Sequence, residues 1–133
     1  MYDNIIIPVD FDCESNRKSV KKSLPIIENF DSNVYILYVK TDADNRLQED
    51  DEMIPISDMK KFFRENNKDI DVEYAVTEGK PIEKICKFVD KKDGDLIAMA
   101  THSRSWLERL ALGSLTEQTI QKVQCPVLTM TDD

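Results

Sequence analysis

Apolar residues along this chain come in two rhythms. Short continuous runs, Asn4 to Val9 (NIIIPV), Asn33 to Val39 (NVYILYV), Leu96 to Met99 (LIAM) and Val127 to Thr131 (VLTMT), have the length and composition of strands. Leu96 to Met99 is apolar enough to be covered on both faces, Asn4 to Val9 has the mark of a central strand, and Asn33 to Val39 is rich in β-branched and aromatic residues. Between the runs, apolar positions recur every three or four residues, the period of an amphipathic helix. From Glu14 to about Phe30 this period places Val20, Leu24 and Ile27 on one face and Lys18, Lys21 and Lys22 on another. Pro25 interrupts the pattern and predicts a kink or a break, since a continuous helix would lose about 3 kcal/mol there. Pro8 would be awkward in mid-sheet and is tolerable only near the end of its strand.

The pattern continues less regularly. Lys40 to Ile56 has no period and many acids, and reads as a loop that is long for a compact domain. Ser57 to Asn66 reads as a helix with Met59, Phe62 and Phe63 turned inward. Ile70 to Val76 alternates, as a strand at a sheet edge does. Glu78-Gly79-Lys80-Pro81 is a turn with Pro81 at the first helical position, where its missing N–H costs nothing. The helix to Asp90 carries Ile82, Ile85, Cys86 and Val89 inward, and Lys91 to Gly94 ends it. Thr116 to Val123 is the last long helix, stopped by Gln124-Cys125-Pro126. Strands alternating with helices predict an α/β fold, an open parallel sheet with helices on both faces and right-handed connections. The length of 133 residues allows one domain, residues 1–133.

The stretch from Leu96 to Glu117 gathers the chemistry. A buried strand runs into the turn Ala100-Thr101-His102-Ser103, then a short amphipathic helix, then Gly113-Ser114 opening another helix. Ser105 with Glu108, and Ser114 with Glu117, have the spacing of capping boxes. A helix start behind a glycine suits an anion, because unpaired N–H groups and the positive end of the helix dipole point the same way.

Composition narrows the function classes. No apolar run approaches the ~18 residues of a membrane span, and the N-terminus lacks the pattern of a secretory signal, so a cytoplasmic protein without a membrane role is expected. A net charge of −8 with interspersed lysines argues against nucleic-acid binding. Cys13, Cys86 and Cys125 are widely spaced and His102 is the only histidine, so neither a disulfide framework nor a His-based metal site is expected.

The segment ATHSRSWLERLALGSLTEQ followed by CPVLTM, together with IIIPVD, ILYV and GKP, resembles the universal stress protein (UspA-like) family over nearly the whole length. That resemblance implies a five-stranded Rossmann-like sheet in the order 3-2-1-4-5. It also implies a homodimer formed through the last strand, Val127 to Thr131, and an adenine nucleotide, ATP or AMP, with Mg²⁺ accompanying it. In this order the first and fourth strands are neighbours whose outgoing connections leave on opposite faces, which is where open α/β sheets bind ligands. The implied site comprises Pro8, Val9, Asp10, Val39, Met99, Ala100, His102, Ser103 and Arg104, with Gly113, Ser114, Leu115 and Thr116 below. Asp10 and the Val39 backbone match the adenosine side, and the Gly113-Ser114 amides match the phosphate side. An acceptor such as Asp10 suits a ribose hydroxyl or an adenine amine and would repel phosphate.

The nucleotide-binding members carry Gly-x2-Gly-x9-Gly-Ser/Thr, and here the three glycine positions hold Ala100, Ser103 and Gly113. If position 103 requires positive φ, the serine brings about 1–2 kcal/mol of strain, a five- to thirtyfold weakening. Two functions therefore stand side by side: a nucleotide-responsive stress regulator, and an interaction module of the same family that binds no nucleotide. Asp10 serves a ligand or caps a helix, Arg104 pairs with phosphate or with a local acid, and His102 touches a ligand or sits on a surface turn. Trp106 falls on a stripe with Leu107 and Leu110, a core or dimer-contact position in preference to a stacking one. No G-x-S-x-G elbow and no P-loop is present, and only Asp10 and Asp12 offer carboxylates near the implied site, so an enzyme is not expected.

Overall fold

The computed structural model describes residues 2–9, 14–40, 53–66, 71–100 and 122–130. The elements in chain order are β1 (Asn4–Val9), α1 (Glu14–Ile27) with a 3-10 turn (Glu28–Phe30), β2 (Asn33–Lys40), α2 (Met53–Asn66), β3 (Val72–Glu78), α3 (Pro81–Lys91), β4 (Leu96–Ala100) and β5 (Val127–Met130). The strands form one sheet in the order β3-β2-β1-β4-β5, and every pairing is parallel.

Side chains alternate across this sheet into two cores. On one face Ile5, Ile7 and Val9 of β1 meet Val34, Ile36 and Tyr38 of β2, Leu96 and Ala98 of β4, and Val20, Leu24 and Ile27 of α1, with Phe63 of α2. On the other face Ile6, Leu37, Val39, Ile97 and Met99 meet Ile85 and Val89 of α3. The three central strands are buried on both sides, which is why they read as unbroken apolar runs.

Several boundaries differ from the sequence expectation. The helix after Lys40 begins at Met53 instead of Ser57, so the aperiodic stretch is shorter. Pro55 is its third residue, a position whose N–H has no intrahelical acceptor to reach, so the proline does not oppose an early start. Pro25 does not break α1 before Ile27; it falls in the last turn, on the exposed side, and the chain tightens into the 3-10 turn directly afterwards. The Pro25 carbonyl accepts a 2.7 Å bond from Asn29 Nδ2. Cys86 is half-buried, not inward with Ile85 and Val89. Ala100, read as a turn residue, is the last residue of β4, and β2 runs on to Lys40. Pro81 opens α3 as expected.

Candidate functional site

The implied site is at the carboxyl ends of β1, β2 and β4. Asp95 N–H donates to Asn4 O at 2.9 Å, and Asn33 N–H donates to Asp3 O at 2.9 Å. Peptide groups alternate sides along a strand, so positions 4, 6 and 8 of β1 face β4, while 3, 5, 7 and 9 face β2. Pro8 therefore turns its nitrogen toward β4, where a ladder bond to the Ala98 carbonyl would be due, and it has no hydrogen to give. The pairing follows this chemistry. β1 and β2 stay in register from Asn4↔Asn33 to Val9↔Tyr38, whereas β1 and β4 pair only at Ile5↔Leu96 and Ile6↔Ile97. Pro8 thus ends the β1–β4 ladder early, at the carboxyl ends of two strands between which a switch point offers a ligand crevice.

Around that crevice Val9 lies on the α1 face of the sheet, and Val39 and Met99 lie on the α3 face, all fully buried. Their side chains are committed to the core, so what they offer a ligand is backbone. The Lys40 carbonyl just beyond Val39 already accepts the Gly79 N–H at 3.0 Å, and Gly79 adopts a φ of 142° to reach it. Ala100 closes β4 in extended conformation, and positive φ is absent there. The structure brings Pro8, Val9, Val39, Met99 and Ala100 to one edge of the sheet. Asp10, His102, Ser103, Arg104, Gly113, Ser114, Leu115 and Thr116 lie outside the described residues, as do Thr131 and both capping boxes.

At the opposite, amino end of the sheet a cavity of about 640 Å³ lies between α3, the turn into β4 and the segment leading into β5. Cys86 and Cys125 both line it, as do Asp90, Asp93, Asp95 and Lys122. Burial pushes the Cys86 thiol above its ordinary value; Lys122 works against this and Asp90 with it. Burial also raises Cys125; its own backbone hydrogen bond lowers it, and Asp95, Asp90 and Cys86 add to the rise. The sequence reading missed this cavity, because two cysteines so far apart in the chain carry no spacing signal.

The sequence model of the universal stress protein family matches residues 1–130. The chain belongs to that family. Universal stress protein MJ0531 of Methanocaldococcus jannaschii is 30% identical over 143 residues, spanning 98% of this chain and 82% of the relative. Among solved structures, protein MJ0577 is 26% identical with a TM-score of 0.75, covering 98% of this chain and 96% of that one. A universal stress protein in complex with cAMP matches with a TM-score of 0.75 and 15% identity, covering 99% and 98%. One from Archaeoglobus fulgidus in complex with dAMP matches with a TM-score of 0.67 and 18% identity, covering 98% of each chain. The sheet order expected from the resemblance is the one observed in this family member.

Proposed function

We propose that this universal stress protein is a homodimeric stress-response regulator that binds an adenine nucleotide, ATP or AMP, in the crevice between β1 and β4. The carrying observation is the early end of the β1–β4 ladder at Pro8, which falls at the switch point of a chain of this family. Structural neighbours in complex with cAMP and dAMP support the same class of ligand. In this reading Asp10 accepts from the ribose or the adenine amine, and the Gly113-Ser114 amides hold phosphate, with Mg²⁺ accompanying a triphosphate. The strand conformation of Ala100 supports a small loss at the first motif position, since an extended residue does not need glycine. Ser103 then carries the weakening, about five- to thirtyfold. The protein holds the nucleotide as a signal and does not turn it over efficiently.

The replaced motif glycines favour a second reading, an interaction module that binds no nucleotide. Calorimetric titration of ATP with Mg²⁺ separates the two, after a check of denatured protein for nucleotide carried through purification. Micromolar binding that is lost in Asp10→Ala and Gly113→Val is the expected result. Absence of binding at millimolar ATP, with no carried nucleotide, leaves the interaction module.

A further inference from the structure

The outer edge of β3 lacks the devices that commonly close a sheet edge to a further strand. Its pairing with β2 runs without a bulge from Val34↔Val72 to Lys40↔Glu78, and no proline, glycine or lysine interrupts it. Gly79 N–H donates to Lys40 O, so the peptide groups of Ala75 and Thr77 face β2 and those of Val72, Tyr74 and Val76 face outward. Among the described residues no strand pairs with that outward side. The two faces beside the edge differ in charge. Val72, Tyr74 and Val76 turn their half-buried side chains to the α2 face. There Lys60 Nζ lies 6.0 Å from the centroid of the Tyr74 ring, and the charge of Arg64, one helical turn on, acts on the Tyr74 hydroxyl. Both cations are exposed. Asp71 and Glu73, also exposed, fall by alternation on the other face. The edge lies two strands from β1, apart from the crevice, and is open to use whether or not a nucleotide is held.

We propose that β3 docks an extended segment of a partner protein, which adds as an antiparallel strand and carries a carboxylate toward Lys60 and Arg64 and a cation toward Glu73. The outward peptide groups supply the ladder, and the side chains supply the choice of partner. Apolar residues two positions to either side of the partner's carboxylate meet Val72 and Val76. The opposite charges of the two faces fix the register, since a slip of one residue sends every partner side chain to the wrong face. A second copy of β3 meets only half of this demand. The antiparallel register that sets its Glu78 beside Tyr74 sets its Gly79 beside Glu73, where a cation is wanted.

The test offers the full chain two end-blocked peptides of one composition and no net charge, Thr-Val-Thr-Glu-Lys-Val-Ser and Thr-Val-Thr-Lys-Glu-Val-Ser. The valines fix which face is which, and the peptides differ only in the face that receives each charge. Titration followed by amide NMR is expected to show the first binding about tenfold more tightly than the second. Its binding is expected to slow hydrogen exchange at the outward amides of Tyr74 and Val76, and to leave Ala75 and Thr77, which face β2, unchanged. Lys60→Glu combined with Arg64→Glu is expected to abolish the preference. Val76→Pro removes an outward donor and no bond to β2, and is expected to abolish binding. Equal affinities, no binding at millimolar peptide, binding without protection of Tyr74 and Val76, or binding retained in a folded Val76→Pro chain overturns the proposal. So does protection of those two amides in the free chain: independent of concentration it means the chain covers its own edge, and rising with concentration it means a second copy does. The peptide comparison and the exchange pattern use the natural chain, so they decide the matter should a variant fail to fold.

Discussion

Asp95 shows how one side chain ties distant parts of this chain together. It precedes β4, yet both its oxygens take backbone N–H groups from the start of β1, and its own N–H reaches Asn4 O. Asp95→Ala strands the part-buried Asn4 N–H, and a loss of about 1–3 kcal/mol is expected in urea unfolding. Asp95→Asn keeps one acceptor and is expected to lose less. The two cavity thiols make a prediction of a different kind. Both are raised above the ordinary 9.0, mainly by burial, so from about pH 9 the unfolded chain releases protons that the folded chain retains. Their contribution is full below pH 9 and declines as pH rises through the raised values. Tyr74, also raised by burial although Arg64 opposes it, acts in the same direction above pH 10.0. Thermal unfolding followed at increasing pH is expected to show a falling midpoint above pH 9, and Cys86→Ser with Cys125→Ser is expected to flatten the first part of the fall.

At the scale of elements, what the sequence made legible was whatever burial writes into composition. Ile5 to Ile7, Ile36, Leu37 and Ile97 are wholly buried, and a strand covered on both faces has to be an apolar run, so β1, β2 and β4 were readable from pattern alone. The edge strand β3 was readable by its alternation, although it runs over Val72–Glu78 and the alternation gives way from Tyr74 to Thr77, which are all half-buried. Pro25 was misread because a proline's cost depends on where in an element the missing N–H falls, and composition does not state this; Pro8 stands near the end of its strand as expected. Pro25 and Pro55 fall near helix ends, where they disturb little, while Pro8 lies in a central strand and ends its ladder with β4. Gly94 is a case of close approach, in the turn that joins α3 to β4. A Cβ there would come to 3.0 Å from Ile6 Cγ1 and 3.2 Å from Val89 Cγ1, both core atoms with little room to yield. Gly94→Ala is expected to cost about 1–3 kcal/mol by overpacking, read as a lower denaturant midpoint with an unchanged slope.

For the whole molecule the question is which sheet edge meets a second copy. β5 is an outer strand, and among the described residues no strand pairs with its outer side, a liability that a two-fold partner strand removes. The register decides how the proposed dimer has to be tested. Ile97 N–H donates to Pro126 O at 3.1 Å, so Pro126, Leu128 and Met130 turn their peptide groups toward β4, while Val127 and Thr129 turn theirs outward. A proline at 128 would therefore cut the β4–β5 ladder and damage the sheet itself. Thr129 is exposed and its N–H points away from β4, so Thr129→Pro removes an outward donor on a strand that tolerates proline at its free edge. Sizing chromatography with light scattering is expected to give a dimer for the natural chain and a monomer for Thr129→Pro, with the far-ultraviolet spectrum unchanged. Each copy carries a net charge of −8, so the dimer is also expected to tighten as salt screens the repulsion between copies. A Thr129→Pro protein that stays folded and dimeric would move the interface away from β5, and the other outer strand, β3, would be the next edge to block.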